Sequence, residues 1–295
     1  MTRSLGVLAF QLRPIAYDPA ATLDRFEGYV QLARTELPDI DLYLFPELYL
    51  TGEDPFTLDA PRGFMSAVAE EIPGPLTDRV GKIAAKARRW IQAGSVFERS
   101  GGEIYNTAIT FSPQGELVQT YRKLFPWRPF ETCAPGDAPP TVFDIAGVGR
   151  AGTMICYDGW FPEVARGLAL QGVEVILHPT LTSTPDREEE LALARANAIV
   201  NQCYVVNVNA ASTIGGGRSI AVDPEGRVLF TGDRSEELLP QVLDLDRVTD
   251  VRERGTRGVS RPLRHFEQGP AAVMEPYDRL REARDREDGS PSARS

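Results

Sequence analysis

The chain has 295 residues, 42% of them hydrophobic and 25% charged, with a formal net charge of -10. That length buries one sizeable core, and the acidic balance excludes nonspecific nucleic-acid binding, which needs Lys and Arg clustered on phosphates. No window approaches the run of about 18 apolar residues that a membrane helix needs, and the opening MTRSLGVLAFQLRP is too short in apolar residues for a secretory signal.

In chain order, LGVLAFQL (5–12) reads as a buried strand, and Leu23, Phe26, Val30, Ala33 and Leu37 then recur at helical spacing. DLYLFP (41–46) is a short strand stopped by Pro46, residues 76–90 are a helix, and IQAGSVFE (91–98) is a strand. EIYNTAITFS and ELVQTYRK form a hairpin around a Pro/Gly turn. VGRAGTMIC (148–156) is a strand, followed by a helix over 161–170 with Pro162 in its first turn. VEVILH (173–178), a helix over 186–202, and CYVVNVNA (203–210) repeat the grammar. A second hairpin surrounds DPEG, and QVLDLD (241–246) is a last strand. STIGGGRS (212–219) is a turn, since it lacks the Lys-Ser/Thr ending and strand–helix context of a phosphate loop.

Hairpins interrupting a β–α alternation in both halves predict two mixed sheets, each covered by helices on one outer face. No linker divides the body, so residues 1–254 form one domain. From 255 to 295 the chain loses its period and ends in the charged stretch RLREARDREDGSPSARS, a tail that is mobile or orders against a partner subunit. Cys133, Cys156 and Cys203 are odd in number and widely spaced, which suits free thiols in a reducing cytoplasm. With no C-x-x-C and two histidines, zinc is poorly supplied.

Three strand ends concentrate reactive groups: Glu47 after FP, Lys123 closing a hairpin strand with Glu131 eight residues on, and Cys156 before YDGWFPE. Singly, each has an ordinary reading as a cap, a surface charge or a core cysteine. Together they make an acyl-transfer set without histidine. A carboxylate takes the thiol proton, the sulfur attacks, and an ammonium steadies the charge on the substrate oxygen.

At these residues the sequence resembles the nitrilase superfamily of carbon–nitrogen hydrolases. FPE, YRK and ICYDGWFPEVAR carry the resemblance, with support from YNTAITFSPQGELVQTYRK, ARANAIVNQCYVVNVNAA and GRSIAVDPEGRVL, over residues 5–246. The resemblance implies a four-layer αββα sandwich, an α/β fold with helices on both outer faces. It assigns Cys156 as nucleophile, Glu47 as general base, Lys123 as oxyanion stabiliser and Glu131 as the second glutamate. The Tyr157 amide becomes a second oxyanion donor near a helix N-terminus that favours the thiolate.

RKLFPWRPFE and CYDGWFPEVAR sit nearer the amidase and formamidase-like branch than the true nitrilases, so a linear carboxamide is the expected substrate. Nitrile, N-carbamoyl and acyl-transfer chemistry at the same site are the alternatives, and a scaffold that keeps the fold without catalysis is a third class. Trp127, Phe130, Tyr49, Trp160 and His178 are candidate substrate-binding walls, each with ordinary packing or a satisfied hydrogen bond as its alternative. No metal, cofactor, nucleic acid or membrane is expected, and the resemblance implies a homo-oligomer.

Overall fold

The computed structural model of the protein describes residues 3–54, 60–212 and 216–287. The first half runs β1 (Ser4–Gln11), α1 (Pro19–Glu36), β2 (Leu42–Leu44), α2 (Phe64–Val68), α3 (Pro75–Ala87), β3 (Trp90–Ser100), β4 (Glu103–Phe111) and β5 (Leu117–Arg122). The second runs β6 (Val142–Ile145), β7 (Gly149–Thr153), α4 (Pro162–Leu170), β8 (Val175–Thr180), α5 (Arg187–Asn201), β9 (Tyr204–Asn209), β10 (Ile220–Val222) and β11 (Val228–Thr231). The chain then crosses back through β12 (Glu237–Asp244) to α6 (Asp246–Arg254), α7 (Pro262–Glu267) and α8 (Glu275–Glu287).

The strands form two six-stranded sheets, ordered β12-β1-β2-β3-β4-β5 and β6-β7-β8-β9-β10-β11. Both follow the same pairing sequence: one antiparallel contact, two parallel, then two antiparallel. The period of two in each strand sorts side chains into layers. In β1, Leu8 and Phe10 pack beneath α1 and α3, while Val7 and Ala9 meet Val175, Leu177 and Val206 of the other sheet. Ile176 of β8 and Val205 of β9 point outward instead, under Leu168 of α4 and Leu191 and Ala198 of α5. These are the four αββα layers that the sequence predicts. Each fully buried Leu, Val or Phe contributes about 1.5–3 kcal/mol, and most of them lie on these three surfaces.

The edges of the reading differ from the structure. β6 escapes the periodicity because four residues, VFDI, are too few to establish one. Residues 255–287 are less irregular than the sequence suggests. In α7, Leu263 is buried and Arg166 lies over the Phe266 ring at 4.9 Å. In α8, Tyr277 donates to Glu163 at 2.9 Å while its other described side chains are exposed. Residues 213–215 of the glycine-rich turn and 288–295 of the tail lie outside the described residues. No helix among the described residues is long and apolar enough to cross a membrane.

Candidate active site

Glu47 stands two residues beyond the Phe45 that ends the β2 run, and the packing beneath it is aromatic. Phe45 stacks on Phe10 at 4.2 Å and meets Phe26 at 4.4 Å, which fixes the platform on which the carboxylate rides. The backbone on the other side comes from a bulge in β3. Gly94 has φ +74°, and a Cβ there would lie 1.9 Å from the Pro46 carbonyl oxygen, so only glycine allows this approach. The Glu47 amide donates to Thr180 O in the second sheet at 3.3 Å, and the Leu48 amide to Ser95 Oγ at 3.1 Å. Glu47 is therefore anchored by both sheets.

Lys123 follows β5 and is clamped through its backbone, its amide donating to Asn106 O and its carbonyl accepting from Gly136, each at 2.8 Å. The side chain is 1% exposed, and Nζ donates to Glu47 Oε1 at 2.9 Å and to both Glu131 oxygens at 2.8 Å. Asn106 adds a donor to Glu47 Oε1 at 2.8 Å and a longer one to Glu131 Oε1 at 3.4 Å. Glu131 Oε2 also accepts from the Trp127 amide, which folds the loop after Lys123 back over the ammonium. A lone buried ammonium would give up its proton. Burial alone lowers Lys123, but the charges of Glu47 and Glu131 outweigh it and hold the ammonium well above its ordinary range. Burial pushes the Glu47 carboxyl up, with Lys123 opposing and Glu131 adding to the rise.

Cys156 comes three residues after β7, at the head of a short helix over 156–160 that precedes α4. Its φ of +43° is rare for a side-chain-bearing residue and costs on the order of 1–3 kcal/mol, so the surroundings must hold it. They do so through Asp158, which accepts from the Ile155 amide at 3.0 Å, the Phe125 amide at 3.0 Å and the Tyr121 hydroxyl at 2.9 Å. One carboxylate thus ties the cysteine turn to the lysine loop, and Phe125 stacks on Phe161 at 3.5 Å across the same seam. Burial raises Asp158 to about 6, so near neutral pH it is ionised and accepts all three bonds. The Cys156 sulfur interacts with the Glu47 carboxylate and the Lys123 ammonium. Three groups far apart in sequence meet here.

The thiol is not a preformed thiolate. Burial, then the Glu47 charge, pushes Cys156 well above its ordinary value, and Lys123 opposes this without reversing it. This runs against the expectation that a helix N-terminus would favour the anion: the turn at Cys156 is short, and the charge that acts on it most strongly is that of Glu47.

The comparisons with known proteins point the same way. Residues 7–253 match the family profile described as carbon-nitrogen hydrolase. The chain belongs to the carbon–nitrogen hydrolase family. A formamidase of Bacillus thuringiensis (strain Al Hakam) is 33% identical over 238 residues, covering 75% of this chain and 70% of that protein. The crystal structure of Saccharomyces cerevisiae Nit3, a member of branch 10 of the nitrilase superfamily, superposes with a TM-score of 0.76 at 28% identity, over 85% of this chain and 94% of that one. An amidase from Nesterenkonia sp. gives 0.73 at 25% identity over 85% and 94%.

In this carbon–nitrogen hydrolase a cavity of about 30 Å³ opens beside Cys156, lined by Trp127, Tyr157, Trp160, Leu181, Thr182 and Glu190 among others. Trp127, Tyr157 and Trp160 therefore sit where the sequence expects substrate. Phe130 does not: it is 68% exposed, packs on Trp127 at 4.3 Å, and lines a separate cleft with Glu131 and Cys133. Tyr49 is a further correction. The left-handed Leu48 (φ +51°) turns the chain, and the Tyr49 ring goes into the core against Phe45.

His178 is also not a cavity wall; it works from behind. Its Nε2 is 2.9 Å from Cys156 O and its Nδ1 is 3.0 Å from Asn207 Nδ2, while Arg187 donates to Asn207 Oδ1 at 2.7 Å. That chain sets Asn207 as donor to Nδ1, so Nε2 carries the proton and holds the cysteine carbonyl. Burial lowers His178, keeping the ring neutral. Gly159 makes room for it, since a Cβ there would lie 2.6 Å from the imidazole. Cys133 and Cys203 are buried with thiols raised to about 12 by burial, and neither lines the cavity beside Cys156.

Proposed function

We propose that the chain hydrolyses a small linear carboxamide to acid and ammonia through a thioester on Cys156. The observation that carries this reading is the buried Lys123 ammonium held between Glu47 and Glu131 beside the cysteine sulfur. A buried ion cluster of this kind has no structural need that well-packed apolar residues at all three positions would not meet, but an ammonium there is what a developing oxyanion requires.

Glu47 accepts the thiol proton as Sγ bonds to the carbonyl carbon, so the raised thiol is deprotonated only as it attacks. The oxygen, now negative, is held by Lys123 Nζ and the Tyr157 N–H. The protonated Glu47 then gives its proton to the nitrogen, the C–N bond breaks, and ammonia leaves a thioester. Water, deprotonated by the same carboxylate, adds to the thioester carbon. Collapse expels the sulfur, which regains its proton, and releases the acid. Glu131 keeps the ammonium aimed, and its bond from the Trp127 amide keeps Glu131 in place. The raised Glu47 carboxyl is better matched to this two-way transfer than an ordinary one.

The formamidase and amidase relatives support a small amide rather than a nitrile, and the narrow cavity agrees in scale. The three free cysteines suit a reducing cytoplasm. We also read the domain as ending near residue 254, with the chain beyond it as an arm toward a second copy, since Met274, Tyr277 and Leu280 are exposed. Ammonia release from a panel of formamide, acetamide and propionamide tests the activity. We expect turnover by the native chain and, for Cys156→Ala, none above background with an unchanged melting temperature. Hydrolysis by the alanine variant would end the thioester account.

A further inference from the structure

The catalytic groups proposed above leave one buried anion beside the sulfur unused. Glu190 lies in the first turn of α5, is 3% exposed, and lines the same small cavity as Cys156. Its Oε2 accepts from Thr182 Oγ1 at 2.7 Å and from Arg187 Nη1 at 2.5 Å. Its Oε1 is buried and has no partner among the described residues. Thr182 Oγ1 is in turn 3.8 Å from Cys156 Sγ, so the carboxylate stands one hydroxyl away from the nucleophile. Against burial, the Arg187 charge and the hydrogen bonds from Arg187 and Thr182 hold Glu190 below its ordinary value, so it is a charged, acceptor-only group at neutral pH.

The directions around the sulfur decide what meets this oxygen. A tetrahedral carbon on Sγ carries three other substituents. The oxygen goes to Lys123 and the Tyr157 amide, and the nitrogen goes to Glu47. The acyl substituent takes the remaining direction, into the cavity, whose walls include neither Glu47 nor Lys123. About 30 Å³ accepts roughly one or two heavy atoms. An alkyl group there would stand against Glu190 and leave its buried Oε1 without a hydrogen bond. A hydroxyl or amino group would complete it.

We propose that Glu190 is a specificity-determining residue that selects amides bearing an O–H or N–H donor on the carbon next to the carbonyl, such as glycolamide or glycinamide. This rests on the amidase reading. A site built around such an acceptor rejects the analogue lacking the donor.

The test compares glycolamide, glycinamide and the near-isosteric propionamide with the full-length protein. We expect kcat/KM for glycolamide or glycinamide to exceed that for propionamide by at least tenfold. Glycolamide alone favoured means that Glu190 reads a hydroxyl, and glycinamide alone that it reads an amine. In Glu190→Gln the preference should fall toward unity. Should that variant melt early, the native ratios still decide, because propionamide turned over as well as both others overturns the proposal and leaves the hydrolase reading intact. If no amide releases ammonia, the hydrolase reading fails instead. Calorimetric binding of the three amides to Cys156→Ala then judges Glu190 alone, with equal affinities counting against it.

Discussion

The two sheets of this protein share a strand order and a pairing pattern, yet they do different work. β1 and β7 hold the same place in their sheets, as do β2 and β8, and β5 and β11. β1 leads to Arg13, which pairs with Asp54 at the surface side; β7 leads to Cys156. β2 leads to Glu47, whereas β8 ends in Thr180, whose carbonyl merely receives the Glu47 amide. β5 delivers the buried Lys123, and β11 runs to Gly232 and Asp233 in a half-exposed edge. The first sheet thus supplies the charges, and the second supplies the sulfur and the buried hydrogen bonds that hold its turn. A fold repeated with this fidelity does not place chemistry; individual side chains at strand ends do.

The comparison is broken most severely at Lys123. Lys123→Met removes the cation between two carboxylates, and we expect kcat to fall by about 10²–10³ from the lost oxyanion donor. Stability should fall too, by about 3–5 kcal/mol, because Glu47 loses its buried counter-charge. Stopped-time ammonia assays and urea melts would measure both. The companion Glu47→Gln, Lys123→Met pair should recover part of the stability and none of the rate.

Next in size is the glycine that lets the first sheet seat its base. In Gly94→Ala the new methyl collides with the Pro46 carbonyl, so the Glu47 loop must shift. A 1 Å misplacement can cost about 10²-fold in rate, and we expect kcat to drop far more than KM rises. An equal change in both would show that Gly94 serves only the fold.

The pH profile separates the sheets most cleanly. In the proposed mechanism Glu47 acts ionised, and its carboxyl is raised by burial, so kcat/KM should climb with pH through a midpoint above the ordinary carboxyl value of 4.5. Lys123 is held above its ordinary 10.5, so no alkaline loss should trace to it below that pH. His178, neutral and behind the cysteine, should leave no limb near its ordinary 6.5. His178→Gln is the smallest effect: a fall of about tenfold or less in kcat, with the profile unmoved. A vanished acid limb in that variant would make the histidine, not Glu47, the base.

Glu47 and Cys156 were legible because each follows an apolar run, and Lys123 because it closes a hairpin strand, all three where a rigid sheet hands the chain to a loop. Their strands were legible as short apolar runs bounded by turn or loop residues for β2 and β7, and as one arm of a hairpin for β5. What escaped was set by packing between segments. Glu190 sits in REEE, which reads as a solvated face suited to a helix N-terminus, and only the docking of α5 onto β8 and β9 buries it. Asn106 bonds two glutamates from a strand whose alternation says nothing about its partners. Tyr49 misled through its nearness to Glu47, because a single left-handed residue reversed its direction. His178 reads as a strand end, but β8 continues to Thr180, and the ring's orientation depends on Asn207 and Arg187.

Acid-quench mass spectrometry of the native chain during turnover of a small amide bears most directly on the thioester. The account predicts a transient species heavier by the acyl group less one hydrogen, mapping to the peptide that contains Cys156 and absent in Cys156→Ala. Steady ammonia release with no such adduct at any quench time, and undiminished in the alanine variant, would contradict it.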